Sequence, residues 1–520
     1  MAWFDEARFY HIYPLGLCGA PKQNEYKDPV NRISALKPWI DHICELGFNA
    51  LYIGPLFESV GHGYETTDYR KLDSRLGTNK DLKDFVSYCH AKGIKVIFDG
   101  VFNHTGRDFF AFQDIRYNRE NSSYLNWYQN VNLYSNNSYN DGFSYDTWGG
   151  YDLLAKLNLY NPDVVNYHMD TVRFWINEFD ADGIRLDAAD VLNPDFMKRL
   201  RHETSQMKDE FFLLGEVIHG QYNNWVNEQT LHSVTNYAMH KAFYSSHNEH
   251  NYFELAHTLK RSFEMCGDNA YKLYLFADNH DVERIASKIS NKNDLFPLYV
   301  LLYTLPGIPS VYYGSEFAVE GKKERYSDDS LRPCLSLEEM KKQGTFYQEL
   351  IQRLSDLREN EKALVYGPYK ELHLSTQTYC FERGDILIVS NNSDDVVTFE
   401  LNKEGSYTGV FTSKKIQSEY AKLPISIDAH SAEIYIPDAE DRKVYEPIKV
   451  EIKEILKEEK ESIPEIRIAS KPYEEMSIEE LQSAILAKLS ANGPLNDRMI
   501  KDVTDNVYRD SLLNWIRSFR

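Results

Sequence analysis

A rhythm constrains this chain more than anything else in it. Short runs rich in branched and aromatic residues recur at positions 9–15, 50–53, 95–99, 183–187, 211–216, 233–236, 273–277 and 310–313. Amphipathic helical stretches, such as 81–92 and 163–179, lie between several of them. Strands separated by helical stretches are built for parallel pairing, since parallel neighbours need a long crossover where antiparallel ones need only a turn. Eight such units predict an α/β fold, a closed (β/α)8 TIM barrel, with its chemistry at the C-terminal ends of the strands.

Two departures from the rhythm divide the chain. Between the third strand and the next helix, residues 104–152 are crowded with Asn, Tyr, Ser and Gly, which favour turns over helix. A connection this long in a compact domain is functional or a small subdomain, and its aromatic content argues against disorder. The barrel is therefore expected over 1–103 and 153–359, with 104–152 as an inserted subdomain. From 360 to 437 the runs YCFERG, ILIVSNN, VVTFELN and AEIYIPD alternate like strands of a C-terminal antiparallel β domain. Residues 438–475 form a charged linker or solvated helix. In 476–520, Ser477 and Glu480 have capping-box spacing ahead of Ile478, Leu481, Ile485 and Leu489, which predicts a small helical tail. That tail carries no recognisable chemistry, and an oligomer could form through it.

Composition removes several classes of function. With 58 Lys and Arg against 79 Asp and Glu, the net charge is −21, so a nucleic-acid or anionic-membrane partner is not expected. The most apolar stretch, 297–313, is broken by Pro306, Gly307 and Pro309 and is too short to span a bilayer. The opening MAWFDEARFYHIYPLG has no basic segment followed by an apolar one, and the six cysteines form no CxxC pair. A cytoplasmic protein with reduced thiols is the expectation. Aromatic residues reach 14%, with 37 Tyr, and rings with polar handles suit sugars as well as cores.

Carboxylates recur where the barrel would place chemistry. DGVFNHTG (99–106) follows the third strand, DGIRLDAAD (182–190) contains the fourth, GEV (215–217) closes the fifth and DNHDVER (278–284) closes the seventh. One Asp at a strand end is commonly a cap or ion-pair partner. Four such segments, in order, at the strand ends of one barrel point to a carboxylate-based active site.

In these segments, over residues 8–437, the chain resembles the α-amylase family of glycoside hydrolases. The resemblance implies Asp187 as nucleophile, Glu216 as general acid/base and Asp281 as the third carboxylate, which holds sugar hydroxyls. It also implies that His104 and His280 bind hydroxyls of the sugar being cleaved, that Tyr64 in HGYETTDY is the ring under that sugar, and that Asp99 and Asn103 support the pocket. Arg185 stands two residues before Asp187, so both side chains point to the same end of the barrel, and its charge should keep Asp187 ionised. Retaining cleavage needs two carboxyls about 5–5.5 Å apart, one ionised and one protonated. Glu216 should therefore be raised in pKa, with Asp281 contributing.

LAKLN (154–158) resembles a motif of neopullulanases, cyclomaltodextrinases and maltogenic amylases, with Leu154 and Ala155 in place of Met-Pro. Calcium-dependent α-amylases carry a ligating Asp where this chain has Lys156. An ammonium cannot bind a cation, so no cofactor is expected to be required and calcium is disfavoured. Ala189 and Asp190 replace the Lys-His pair that many α-amylases place on the leaving-group side. Only residues 1–8 precede the first strand run, so the N-terminal β domain through which those enzymes usually dimerise is expected to be lacking. Trp148, Tyr151 and Trp225 are further candidate sugar platforms, and Gly149 and Gly150 could let the first two move. The expected activity is retaining hydrolysis of α-1,4, and possibly α-1,6, glucosidic bonds in maltodextrins or cyclodextrins. An exo-acting α-glucosidase, an oligo-1,6-glucosidase and a transglycosylase of the same fold remain open, because they can carry the same four segments. A non-catalytic sugar-binding protein on this barrel would require loss of a carboxylate that the chain retains.

Overall fold

The computed structural model describes residues 2–448 apart from Tyr326, Thr345, Glu440 and Asp441, and beyond them Gln482 alone. Most of the charged linker and the helical tail, with any oligomer contact through it, lie outside the described residues. Eight strands form one parallel sheet: β1 (Phe9–Ile12), β2 (Ala50–Ile53), β3 (Lys95–Gly100), β4 (Gly183–Leu186), β5 (Phe212–Gly215), β6 (Ser233–Val234), β7 (Tyr274–Phe276) and β8 (Ile308–Tyr312). Their spatial order is β6-β5-β4-β3-β2-β1-β8-β7, and a parallel bridge from Thr235 to Tyr274 joins the two ends into a barrel.

Alternation along these strands divides the core in two. Phe9, Ala50, Tyr52, Ile97, Phe212, Leu214, Tyr274, Phe276 and Ile308 fill the interior, while Tyr10, Leu51, Val96, Phe98 and Leu213 face the surrounding helices. A strand buried on both faces can be apolar throughout, which is why these runs read as nearly continuous hydrophobic segments.

The helices start at identifiable caps. Thr78 accepts from the Asp81 N–H while the Asp81 carboxylate accepts from the Thr78 N–H, so that helix spans Asn79–Ala91, two residues ahead of the expected 81–92. Asn161 caps Pro162–Phe179, whose first residue fixes φ without giving up a needed donor.

The inserted segment holds the helix Phe110–Asn118 and a small antiparallel sheet of His104–Thr105, Tyr151–Lys156 and Thr147–Trp148. Its return strand runs through residue 152 and pairs Lys156 with His104, tying the insert to the end of β3. Arg107 clamps Asp141 with both terminal nitrogens, at 2.5 and 2.9 Å. A second excursion was not anticipated: after β2 the chain makes a hairpin, Phe57–Ser59 with Thr66–Leu72, and its connecting turn carries Tyr64.

Beyond the barrel, Tyr369–Leu374, Thr378–Arg383, Ile386–Asn391, Ser431–Pro437, Ser406–Gly409 and Lys415–Gln417 form an antiparallel sheet, with Val397–Asn402 and Lys422–Ile427 as a separate pair. The first described part of the expected linker is not free of the body. Tyr445 and Ile448 are buried, the Ile448 N–H donates to the Phe411 carbonyl at 3.0 Å, and Lys443 pairs with Asp356 at 2.6 Å. Among the described residues no helix is long and apolar enough to cross a membrane.

Candidate active site

The chemistry-bearing side chains meet at the C-terminal ends of β2 to β5 and β7. Asp99 on β3 and Arg185 on β4 are cross-strand partners, so their inward side chains are set opposite each other by register alone. Arg185 then holds three carboxylates. Nη1 lies 2.8 Å from Asp99 Oδ1 and 3.0 Å from Asp187 Oδ1, and Nη2 lies 2.9 Å from Glu216 Oε2. Asp187 and Glu216 thus share a single buried guanidinium. After Asp187 the chain enters the left-handed region at Ala188 (φ 47°), and the Ala188 N–H donates to Glu216 Oε2 at 3.0 Å. Tyr237 adds a donor to Glu216 Oε1 at 3.3 Å.

A second cationic group serves the opposite side. Arg332, which follows β8, donates from Nη2 to Asp281 Oδ1 at 2.9 Å and from Nε to the His280 carbonyl at 2.9 Å. His280 Nε2 lies 3.0 Å from Asp281 Oδ2 and close against the Tyr64 hydroxyl. Tyr64 and Tyr52 both donate to Asp99 Oδ2, at 3.0 and 2.9 Å. The Tyr64 ring lies nearly parallel to His280, with centroids 5.7 Å apart.

The structure therefore brings Tyr64, Asp99, Arg185, Asp187, Glu216, His280 and Asp281 into one constellation. His104 stands at its edge with both ring nitrogens engaged. Nε2 donates to the Tyr64 carbonyl at 3.1 Å, and Nδ1 accepts from the Asn103 amide at 3.2 Å. His104 thus holds the Tyr64 backbone, the one ring nitrogen on its carbonyl and the other on Asn103. Trp148 lies parallel to His104 at 6.4 Å, whereas Tyr151 is 68% exposed and Trp225 donates to the Ala189 carbonyl at 3.1 Å.

Electrostatics sorts the carboxylates. Burial pushes Asp187 well above the ordinary carboxylate range; Arg185 pulls it back, and the Glu216 and Asp99 charges push it up again. Burial also raises Asp281, but His280, by charge and hydrogen bond, and Arg332 outweigh it and hold this carboxyl below its usual range. Burial lowers Arg185, yet Asp99 and Glu216 more than restore it, so the guanidinium is a fixed charge. Burial takes His104 down to about 3, so it is neutral near pH 7.

Arg332, Tyr52, Tyr237, Tyr13 and His11 were not anticipated. Tyr52 and His11 lie opposite each other on β2 and β1 and stack at 4.1 Å, and inward alternation along those strands was the signal that could have found them. Tyr13 stacks on His280 at 5.8 Å under the Arg332 guanidinium. Arg332 lies outside every motif, so only the fold brings it to Asp281. Lys156, in the insert's return strand, stands within no cluster of ligating side chains: among the described residues no three His, Cys, Asp or Glu could hold a metal ion together.

The barrel thus gathers its carboxylates at the strand ends on Arg185, which is buried, and Arg332, which is partly buried, as a carboxylate-based enzyme site would. Residues 35–365 match the family described as Alpha amylase, catalytic domain. The chain is 30% identical over 449 residues to a cyclomaltodextrinase of Thermoanaerobacter pseudethanolicus, covering 80% of this chain and 75% of the relative. It is 27% identical over 399 residues to an intracellular maltogenic amylase of Bacillus subtilis, covering 74% of this chain and 65% of the relative. A solved cyclomaltodextrinase structure superposes with a TM-score of 0.76 at 25% identity, over 84% of this chain and 78% of the other. The chain belongs to the α-amylase family of glycoside hydrolases.

Proposed function

We propose that this enzyme hydrolyses α-1,4-glucosidic bonds in maltodextrins and cyclodextrins, with retention of anomeric configuration; α-1,6 bonds are the second linkage to test. The observation that carries the reading is the pair Asp187 and Glu216 held on one guanidinium, with Asp281 held separately by Arg332 and His280. Glu216 in its acid form protonates the glycosidic oxygen while ionised Asp187 attacks the anomeric carbon, breaking the bond to the leaving sugar and forming a glycosyl ester. Glu216, now a carboxylate, takes a proton from water, which displaces Asp187 and restores both groups. Arg185 supports the charge that Asp187 must carry, and Asp281 and His280 bind sugar hydroxyls whose contacts tighten at the oxocarbenium-like stage. Tyr64 lies under the sugar ring, and Asp99 orients both Tyr64 and Arg185.

Lys156 supports catalysis without a divalent cation, because its ammonium stands where the resemblance places a ligand. Activity is expected to survive dialysis against a chelator. A cytoplasmic location is supported by relatives named as intracellular amylases.

The test is incubation with β-cyclodextrin beside maltoheptaose, with products separated by chromatography and their anomers followed by proton NMR. Opening of the ring and first release of the α-anomer are the expected results. Cleavage of the linear sugar alone, one glucose at a time, would replace this reading with an exo-acting glucosidase; products longer than the substrate would replace it with a transglycosylase.

A further inference from the structure

Tyr64 is presented by the turn 60–65, which joins the two strands of the hairpin after β2. The Val60 N–H closes this turn on the Glu65 carbonyl at 3.3 Å, and a carboxylate fills it. Glu65 is 2% exposed, and among the described residues no lysine or arginine pairs with it. Its oxygens are met by the turn's own donors instead. Oε1 accepts from the His62 N–H at 3.3 Å and Oε2 from the Gly63 N–H at 3.1 Å. A buried acid is costly unless its oxygens are satisfied, and here they are satisfied by the residues that lead into Tyr64.

His62 ties that carboxylate to Tyr64. Its Nε2 lies 3.2 Å from Glu65 Oε1, and its Nδ1 accepts the Tyr64 N–H at 3.4 Å. A ring nitrogen that accepts holds no proton, so the proton of the neutral imidazole stands on Nε2 and is donated to Glu65. The Tyr64 backbone is therefore held between two imidazoles, His62 on its N–H and His104 on its carbonyl at 3.1 Å. The two differ in support. His104 is buried and braced by Asn103, whereas the His62 side chain is 48% exposed and is kept on the Tyr64 N–H by Glu65. Tyr13 fastens the same turn from the active-site side, donating from its hydroxyl to the His62 carbonyl at 2.6 Å.

We propose that Glu65 is a positioning residue for the reaction: through His62 and the turn it fixes the Tyr64 backbone, and with it the ring on which the sugar being cleaved lies. It acts through the turn and not on the sugar. The inference rests on the reading of Tyr64 as that ring. A carboxylate suits the task because both of its oxygens only accept, and the turn offers donors to both. A glutamine would set its own N–H groups against one of those donors and break the set. Displacing a group that orients substrate by about 1 Å is enough to cost a large share of the rate, so a small loosening of this turn reaches the chemistry.

The test is a double-mutant cycle with Tyr64, read as kcat/KM on maltodextrin. Glu65→Gln alone is expected to cost about tenfold and Tyr64→Ala alone about a hundredfold. In the Tyr64→Ala background Glu65→Gln should cost about twofold or less, because the group it acts through is gone. An undiminished loss in that background, or no loss in either, would overturn the proposal. If a urea titration shows that Glu65→Gln does not fold, the half-exposed His62 carries the same test. His62→Ala should cost about threefold only while Tyr64 is present, and His62→Gln, whose amide can still donate to Glu65, should recover most of that loss. Equal losses from His62→Ala and His62→Gln would count against the proposal. Failure of the active-site reading looks different: Tyr64→Ala would then cost nothing, whereas here its loss stands and only the coupling to Glu65 is in question.

Discussion

Arg185 and Arg358 are both buried guanidiniums, 3% and 2% exposed, and their surroundings could hardly differ more. Arg185 faces carboxylates on three barrel strands or their ends, and its positive charge is reinforced above its ordinary strength. Arg358, in the helix Phe346–Asn360, donates among the described residues to backbone carbonyls: Tyr303 at 2.9 Å, Leu364 at 3.1 Å and Gly307 at 2.6 Å. Burial, with Arg383 and Arg8 nearby, brings its pKa down to about 9. One site concentrates three carboxylates on one cation at the C-terminal ends of the strands, where the proposed chemistry needs them. The other uses a cation as a many-armed donor that closes the bottom of the barrel, where no chemistry is needed. The contrast teaches that burial alone does not mark a functional charge; its partners do.

The sharpest way to test this division is to remove a partner. Asp187→Asn or Glu216→Gln is expected to cut kcat on maltodextrin by roughly 10³-fold or more. Thermal stability should stay level or rise, because one of the like charges around Arg185 is gone. An active, destabilised variant would mean that these carboxylates are structural after all.

Arg185→Met should abolish activity and also destabilise the fold by about 3–5 kcal/mol, because Asp99, Asp187 and Glu216 are left buried without their cation. Arg358→Met should cost about 2–4 kcal/mol through its orphaned carbonyls, yet leave kcat of the folded enzyme unchanged. Chemical denaturation read beside initial rates separates the two. If Arg358→Met lowered kcat at temperatures where the protein is folded, the division would fail.

Tyr64→Phe is a smaller cut. It removes the hydroxyl between Asp99 and His280 but keeps the ring. A loss of about 1.5 kcal/mol in kcat/KM is expected, with stability little changed.

How much of this was legible in the sequence follows from the same physics. The barrel strands could be read because burial on both faces forces continuous apolar runs, and the carboxylates that gather at their ends because they stand next to those runs. The hairpin at Phe57–Ser59 and Thr66–Leu72 could not be read, since its polar TTDYRKL strand has no clean alternation. Four strands of the C-terminal domain, at Tyr369–Leu374, Ser406–Gly409, Lys415–Gln417 and Lys422–Ile427, were missed because half-exposed and edge positions tolerate polar residues. Arg332 reaches Asp281 across about fifty residues of sequence, a contact that only the closed barrel creates. The expectation that Arg185 would keep Asp187 in the ordinary carboxylate range is overturned: burial, with the Glu216 and Asp99 charges, outweighs one guanidinium and raises Asp187.

The smallest expected effect lies where barrel and C-terminal domain meet. His430 Nδ1 is 2.8 Å from Asp294 Oδ1, just before the helix Leu295–Thr304, and Nε2 is 2.8 Å from Asp394 Oδ1 in the C-terminal domain. Only the imidazolium has a proton for both carboxylates, so this clamp is complete only when His430 is charged. Burial lowers its pKa, but the hydrogen bonds and charges of Asp294 and Asp394 outweigh that and raise it above 6.5; His250 is the other titratable ring beside it, at 6.1 Å. A histidine raised on folding stabilises fully below its unfolded value and loses that contribution as pH climbs through the folded one. The stability gap between wild type and His430→Gln should therefore be widest below the ordinary histidine pKa and shrink as pH rises above it, as measured by urea midpoints. Activity at the distant active site should not follow it. A gap that stayed constant as pH rises would make His430 a donor serving architecture, as the cationic Arg358 does, rather than a group whose charge state matters.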